Sequence, residues 1–412
     1  MIGYHTLKLA AIALGATALG AVLAPLSSAP APRAPAPEQS GKAYGFILRT
    51  LYYPVPDAGA CPAKSLGAQE MFLASLSAED RAHYGAPENA RDLSRLMAER
   101  LGFKNEKLGG TAREEEIGEA RLDDVRRRLG IAPGKGAVVS LGSRFAYDSC
   151  SDPEDFPQFK RGNQTYPGPI SNGVNLDGKV GKNDFVGGKG EKGIDNGLLR
   201  ATGCNLGVQD YGDPKRADTS LNSQTAPTVI EISGVDSLDN DDQVTVRVAA
   251  AAQSLEVGAN GDALYWSSID VDPDPRYSAQ VAGRIVDGVL TTEPFAFTVR
   301  QKESVVEAYR SFVGSRLRIT FNGDGSMQGE LFGYQTLASL DYQFRHLSQV
   351  AADFSKTSCP AIIDAVHAFA DGFRDRRTGK FTAISAAYRF NGVPAFLIRD
   401  RVAAADGAAR RR

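Results

Sequence analysis

The sequence predicts an α+β protein built on an antiparallel β-sandwich, with flanking helices and a Gly/Asn/Asp-rich loop region. Three observations carry that expectation. After Pro227, apolar residues alternate with polar ones in short runs, the period of a half-buried strand. Segments before and after this stretch repeat their apolar residues at helical spacing. Between Cys150 and Cys204 the composition shifts: ten glycines fall from Gly162 to Gly197, too many for regular helix or sheet throughout.

The strands come first. "QVTVRV" sets Val244, Val246 and Val248 on one face and Gln243, Thr245 and Arg247 on the other. "RLRITF" does the same with Leu317, Ile319 and Phe321 against Arg316, Arg318 and Thr320. "NGDG" at Asn322–Gly325 is a hairpin turn signal leading into "MQGELFGY", and Asp287-Gly288 turns a second hairpin. Aromatic and β-branched residues make "YGFILRTLYYPVP" an early strand, and "KFTAISAAYRF" reads as a closing one. At least six strands with hairpin turns point to a sandwich.

Helical spacing appears over residues 65–85, 88–103 and 112–130, the last so charged that its residues form a solvated face. It returns in "LASLDYQFRHLSQVAADF" and in "CPAIIDAVHAFADGF", where Pro360 suits a first helical position and Ile362, Ile363, Val366 and Phe369 face the core. The expected organisation is therefore a signal peptide or N-terminal anchor (1–29), a Pro/Ala-rich linker (30–41) and a helical, loop-rich region (42–225). A β-sandwich (226–335), C-terminal helices with a closing strand (336–400) and a disordered basic tail (401–412) follow. The uncharged run from Leu9 to Leu23 has the length of a signal-peptide core and small residues crowd its end. Five prolines between Ala24 and Pro37 forbid a helix there.

Export to the periplasm or exterior gives the cysteines a meaning. Cys61, Cys150, Cys204 and Cys359 are an even set without a CxxC spacing, which predicts two disulfides. Of three pairings, Cys150–Cys204 with Cys61–Cys359 is favoured, because the first would staple the glycine-rich stretch. A net charge of −2 supplies no field to draw nucleic acid. Membrane contact is expected only through an uncleaved N-terminal anchor.

The stretch "SNGVNLDGKVGKNDFVGG", Ser171 to Gly188, has the rhythm of a cation loop. With Gly178 as the turning glycine, Asn175 and Asp177 fall at the third and fifth places, Lys179 offers a carbonyl at the seventh, Val180 follows, and Asp184 closes the loop at the twelfth. Calcium needs six or more oxygens at short range, and this spacing delivers them to one centre. The run "VNLDGKVGKNDF" resembles a dockerin-type, EF-hand-like calcium loop, with Phe185 after the last acid. It departs from the pattern at the first place, which is Gly173. A substitute ligand must come from elsewhere: Glu191, Asp195, or the acids Asp148, Asp152 and Asp155. Calcium is thus an expected cofactor, with a structural role. A polar turn region whose Asn and Asp bond their own backbone is the competing expectation.

Two further groups stand out. Asp236, Asp239, Asp241 and Asp242 precede a strand as an acidic turn. Trp266, the sole tryptophan, lies beside Tyr265, Asp270 and Asp272, a combination suited to stacking on a sugar ring and bonding its hydroxyls, although a core tryptophan with an exposed polar edge is the favoured expectation. His346 and His367 have no metal-ligand spacing, and no GxSxG, Walker loop or GxGxxG appears. The leading expectation is a non-enzymatic, disulfide-bonded, calcium-stabilised envelope or extracellular protein that binds a protein or glycan, in the manner of uncharacterised exported bacterial proteins. The alternative is a carbohydrate-active hydrolase using Asp270, Asp272 or the 236–242 acids. A third is an accessory subunit with an exposed apolar face.

Overall fold

A computed structural model describes residues 41–67, 70–71, 78, 149–151, 153–211, 227–302, 307–347, 352 and 355–399. The expected N-terminal leader and linker, the helical spacings expected at 88–103 and 112–130, most of that at 65–85, and the expected basic tail lie outside the described residues.

Thirteen strands are described. β1 (Lys42–Tyr52) precedes a small hairpin of β2 (Phe185–Val186) and β3 (Lys192–Ile194). β4 (Thr228–Val235), β5 (Asp241–Ala250), β6 (Ser267–Asp270), β7 (Ser278–Val286), β8 (Val289–Thr292), β9 (Phe295–Lys302), β10 (Glu307–Phe321) and β11 (Met327–Thr336) follow. β12 (Gly372–Arg374) and β13 (Phe381–Ile398) end the chain's sheet. Four helices accompany them: α1 (Gly197–Thr202), α2 (Leu206–Tyr211), α3 (Leu337–Arg345) and α4 (Cys359–Ala368).

The expected sandwich is corrected to a closed barrel. β1, β4, β5, β7, β8, β10, β11 and β13 pair in chain order, each antiparallel to the next, and β13 pairs back onto β1. β9 extends the stave that β8 begins, along the other half of β10. The closing seam sets Phe46 opposite Pro394 and Tyr52 opposite Arg389. No two edges therefore remain to stack as separate sheets. The local pattern could not reveal this, because a barrel stave and a sandwich strand alternate identically. The staves also come from outside residues 226–335, since β1 and β13 are two of the eight.

Alternation holds along the wall. Val244, Val246 and Val248 turn inward, as do Leu317 and Ile319. Arg247, Arg284, Arg316, Arg318 and Arg389 lie on the opposite strand faces. A charged outer wall around an apolar interior is the reverse of a lipid-facing barrel. Among the described residues no helix is long and apolar enough to cross a membrane. Bulges bend the long staves: β10 shifts register between Val313 and Arg316, so inward positions are even-numbered before the bulge and odd-numbered after it. Opposite β10, Gly329 leaves room for the Phe390 ring; a Cβ there would sit 2.9 Å from the Arg318 carbonyl and inside the ring's contact distance.

One end of the barrel carries the turns at residues 236–241, 287–288 and 322–325. The other is closed by helices: Leu198 and Ala201 of α1, Leu337 and Leu340 of α3 and Val366 of α4 join the barrel's core. Each of these helices starts where the sequence supplies a cap. Asn196, Thr336 and Ser358 accept from Leu199, Ser339 and Ala361.

The disulfide pairing is also corrected. Cys61 joins Cys204, and Cys150 joins Cys359. The first ties the segment after β1 to the end of α1, with Cα atoms 5.6 Å apart. The second anchors the start of α4, with Cα atoms 4.9 Å apart. Neither staples the glycine-rich stretch to itself; both clamp it against the helix-capped end. All four cysteines are oxidised, which suits a compartment outside the reducing cytoplasm.

Candidate functional site

The excursion between β5 and β7 builds the most exposed aromatic feature of the described surface. Residues 251–271 fold over the outer wall, where Ala249, Ala251, Leu255, Ile269, Val271 and Val393 form a second apolar cluster. That burial lays β6 parallel to the last part of β13, Ser267 opposite Ala395 and Ser268 opposite Phe396. Just before β6, Trp266 turns into the left-handed region at φ 63° while donating its N–H to the Pro394 carbonyl at 2.7 Å. A bulky residue at positive φ is strained and persists only where its surroundings enforce it. Its ring is 55% exposed and lies 5.7 Å from the equally open ring of Phe396.

Leu264 and Tyr265 extend this shelf, both exposed. The Tyr265 hydroxyl donates to Asp324 Oδ2 at 3.2 Å, so the turn between β10 and β11 forms the shelf's polar border. Ser326 donates to Asp324 from both hydroxyl and backbone, and these bonds, with that from Tyr265, hold the carboxyl below its usual range. An ionised acceptor therefore stands beside open aromatic rings. Asp324 was not singled out from sequence; its position in a turn signal hid it, and only folding brings it to Tyr265.

Asp270 and Asp272 do not face one another across a cleft. Asp272 accepts from Arg300 at 3.3 Å and from the Asp274 backbone, and Asp270 donates its backbone N–H to Gln253 Oε1 at 3.2 Å. In the 236–242 turn Asp241 accepts from the Asp236 and Gln243 backbone N–H groups, which lowers its pKa, and Asn240 Oδ1 accepts from the Asp287 N–H.

The cation-loop residues are partly assembled. Asn175 Oδ1 accepts from Gly178, Asp177 Oδ1 from Lys179, and Asp184 from Gly181. Asn175 Nδ2 donates to the Lys179 carbonyl at 2.7 Å. Asp195, at the end of β3, reaches over to accept from Leu176 at 2.5 Å and from Asp177 at 3.4 Å. Gly173 explains itself here: a Cβ would lie 2.8 Å from Ile194 and 3.2 Å from the Asp195 carbonyl, so the neighbouring strand takes the space of a first-place side chain. Glu191 is not part of the group; it accepts from Lys189 in its own turn. Asp148 and Asp152 lie outside the described residues. Asp195 is nearly buried, and desolvation, with the charges of Asp184, Asp177 and Asp371, pushes its pKa up to about 6. Among the described residues, no group of three or more His, Cys, Asp or Glu side chains is set to hold a metal ion.

Fold and site together define a class: a disulfide-bonded, up-and-down eight-stranded barrel with a polar outer wall and one exposed aromatic shelf. No protein-family model, curated protein or solved structure matches this chain.

Proposed function

We propose that this is an exported, non-enzymatic binding protein whose shelf of Trp266 and Phe396 takes a sugar ring. The observation that carries the reading is the Trp266 ring, held open to solvent at positive φ with the ionised Asp324 beside it. Aromatic faces pack on the C–H face of a pyranose, and the carboxylate and Tyr265 hydroxyl accept and donate to its hydroxyls. The two disulfides support the exported setting. Because Trp266 is the sole tryptophan, intrinsic fluorescence reports the site directly. Titration with soluble oligosaccharides should shift or quench the emission saturably. Phe396→Ala should weaken that response at least about tenfold, the loss of one stacking partner, while leaving the melting temperature near wild type. A chain whose emission ignores every oligosaccharide of a broad panel refutes the reading.

A second reading concerns the loop. Calcium is proposed as a structural fastener held by Asn175, Asp177, the Lys179 carbonyl, Asp184 and Asp195. Its support is the concentration of carboxylate charge around a nearly buried Asp195. Melting with calcium against chelator tests it; identical curves for wild type in both buffers refute it.

A further inference from the structure

The aromatic shelf has an acidic border, and the acid nearest its rings has no cation. Gly325, at φ 84°, lets the turn between β10 and β11 pass close beside the indole: a Cβ there would sit 3.7 Å from Trp266 Cζ2 and 3.9 Å from Pro394. The residue before it is Asp324. Its Oδ1 accepts from the Ser326 N–H at 2.9 Å and from the Ser326 hydroxyl at 2.6 Å, while Oδ2 accepts from the Tyr265 hydroxyl at 3.2 Å. Those partners are neutral, and no Lys or Arg pairs with this carboxylate among the described residues. Their bonds hold its pKa below the usual range, so it is ionised at any working pH.

The loop on the other side of the shelf adds no positive charge. Between Glu256 and Leu264 the only charged residues are Glu256 and Asp262. Asp262 is matched by Arg49 at 3.3 Å. Glu256, whose carbonyl accepts from the Leu264 N–H, is exposed and brings a second acid to that side. Tyr265 has given its hydrogen to Asp324, so its oxygen offers a ligand lone pairs. The two polar groups that border the rings are therefore both acceptors, and one is an anion.

We infer that the sugar this shelf takes is an amino sugar with a free ammonium group, packed on Trp266 and Phe396 with its N–H donors on Asp324 Oδ2 and the Tyr265 oxygen. This rests on the sugar reading above and narrows it. An ammonium carries three donors, no acceptor and the missing charge, and open aromatic faces attract it as well. A neutral sugar leaves the carboxylate uncompensated. A uronic acid sets two anions together. N-acetylation removes the charge and leaves one donor.

The test follows Trp266 emission of the full chain at pH 5.5, titrated with β-1,4-linked tetramers of glucosamine, N-acetylglucosamine or glucose, and with tetralysine. The glucosamine tetramer should bind at least about tenfold more tightly than the other two sugars at low salt. About 0.5 M sodium chloride should erase that preference in the wild type by screening. Asp324→Asn should bring the three sugars to equal affinity without loss of the neutral ones, with folding checked by far-UV circular dichroism. Equal binding of the three sugars by wild type overturns the inference and leaves the sugar reading standing; silence toward all of them overturns both. A preference that survives high salt or Asp324→Asn overturns the assignment to this carboxylate. Tetralysine binding as tightly as the glucosamine tetramer gives the shelf to a basic peptide and overturns it too.

Discussion

Asp195→Asn is the most informative single substitution, because the structure fixes both the sign and the size of its effect. The wild-type carboxyl is raised from 3.8 to about 6, chiefly by burial. The folded state therefore binds its proton more tightly than the unfolded state. Stability from this group is present in full below about pH 4, and is lost as pH rises from about 4 to about 6. At about 1.4 kcal/mol for each tenfold change in proton affinity, the ionised fold gives up at most about 3 kcal/mol. Asn keeps an oxygen to accept from Leu176 and carries no charge. In chelator at pH 7.5 the variant should be more stable than wild type by up to about 3 kcal/mol, and the two should converge near pH 4. Glu154, held low by Arg345, titrates in both chains and cancels in the difference, whereas Asp371, whose charge acts on Asp195, belongs to the coupled group that the difference reads. Urea unfolding at half-unit pH steps measures it. Adding calcium should reverse the order at pH 7.5, since a cation relieves the ionised Asp195 and the amide cannot replace a carboxylate's charge. A difference that stays flat between pH 4 and 6.5 in chelator refutes the account of Asp195.

Four other outcomes follow from the same structure. Peptide mapping without reduction should recover Cys61 linked to Cys204 and Cys150 linked to Cys359. Replacing the first pair by alanine should lower stability by about 5 kcal/mol, given a closed loop of 143 residues in the chain-entropy account, read from the urea midpoint. His367 donates to Asp341, which raises its pKa; the stabilisation is present below the unfolded value and is lost as pH rises through the folded one. His367→Gln should therefore cost under about 1 kcal/mol at pH 5.5, because the pair is half exposed, and should match wild type above pH 8. Gly329→Val should destabilise by about 1–3 kcal/mol or more through collision with Phe390 and the Arg318 carbonyl, seen as a lower Tm without change in strand content.

Elements set by their own residues were legible. The alternation of Val244, Val246 and Val248 is a stave, the Asn322–Gly325 turn joins β10 to β11, and Pro360 sits in the first turn of α4. Each rests on contacts within a few residues, so the sequence states them. The shelf was less legible: Trp266 stands out among carboxylates, but the favoured expectation buries it and the structure leaves it 55% exposed, while Phe396 and Asp324 reach it from residues far along the chain.

What the sequence by itself determined is the run of strands, turns, caps and the oxidisable cysteine set, because local sterics and hydrogen bonds decide those. The tertiary structure alone decided that β13 closes onto β1, that Cys61 meets Cys204, and that Asp195 fills in beside Leu176 where Gly173 has no side chain. These pairings join residues with no local preference for one another. They form because barrel closure buries one continuous apolar interior, and that gain belongs to the whole wall and to no single segment.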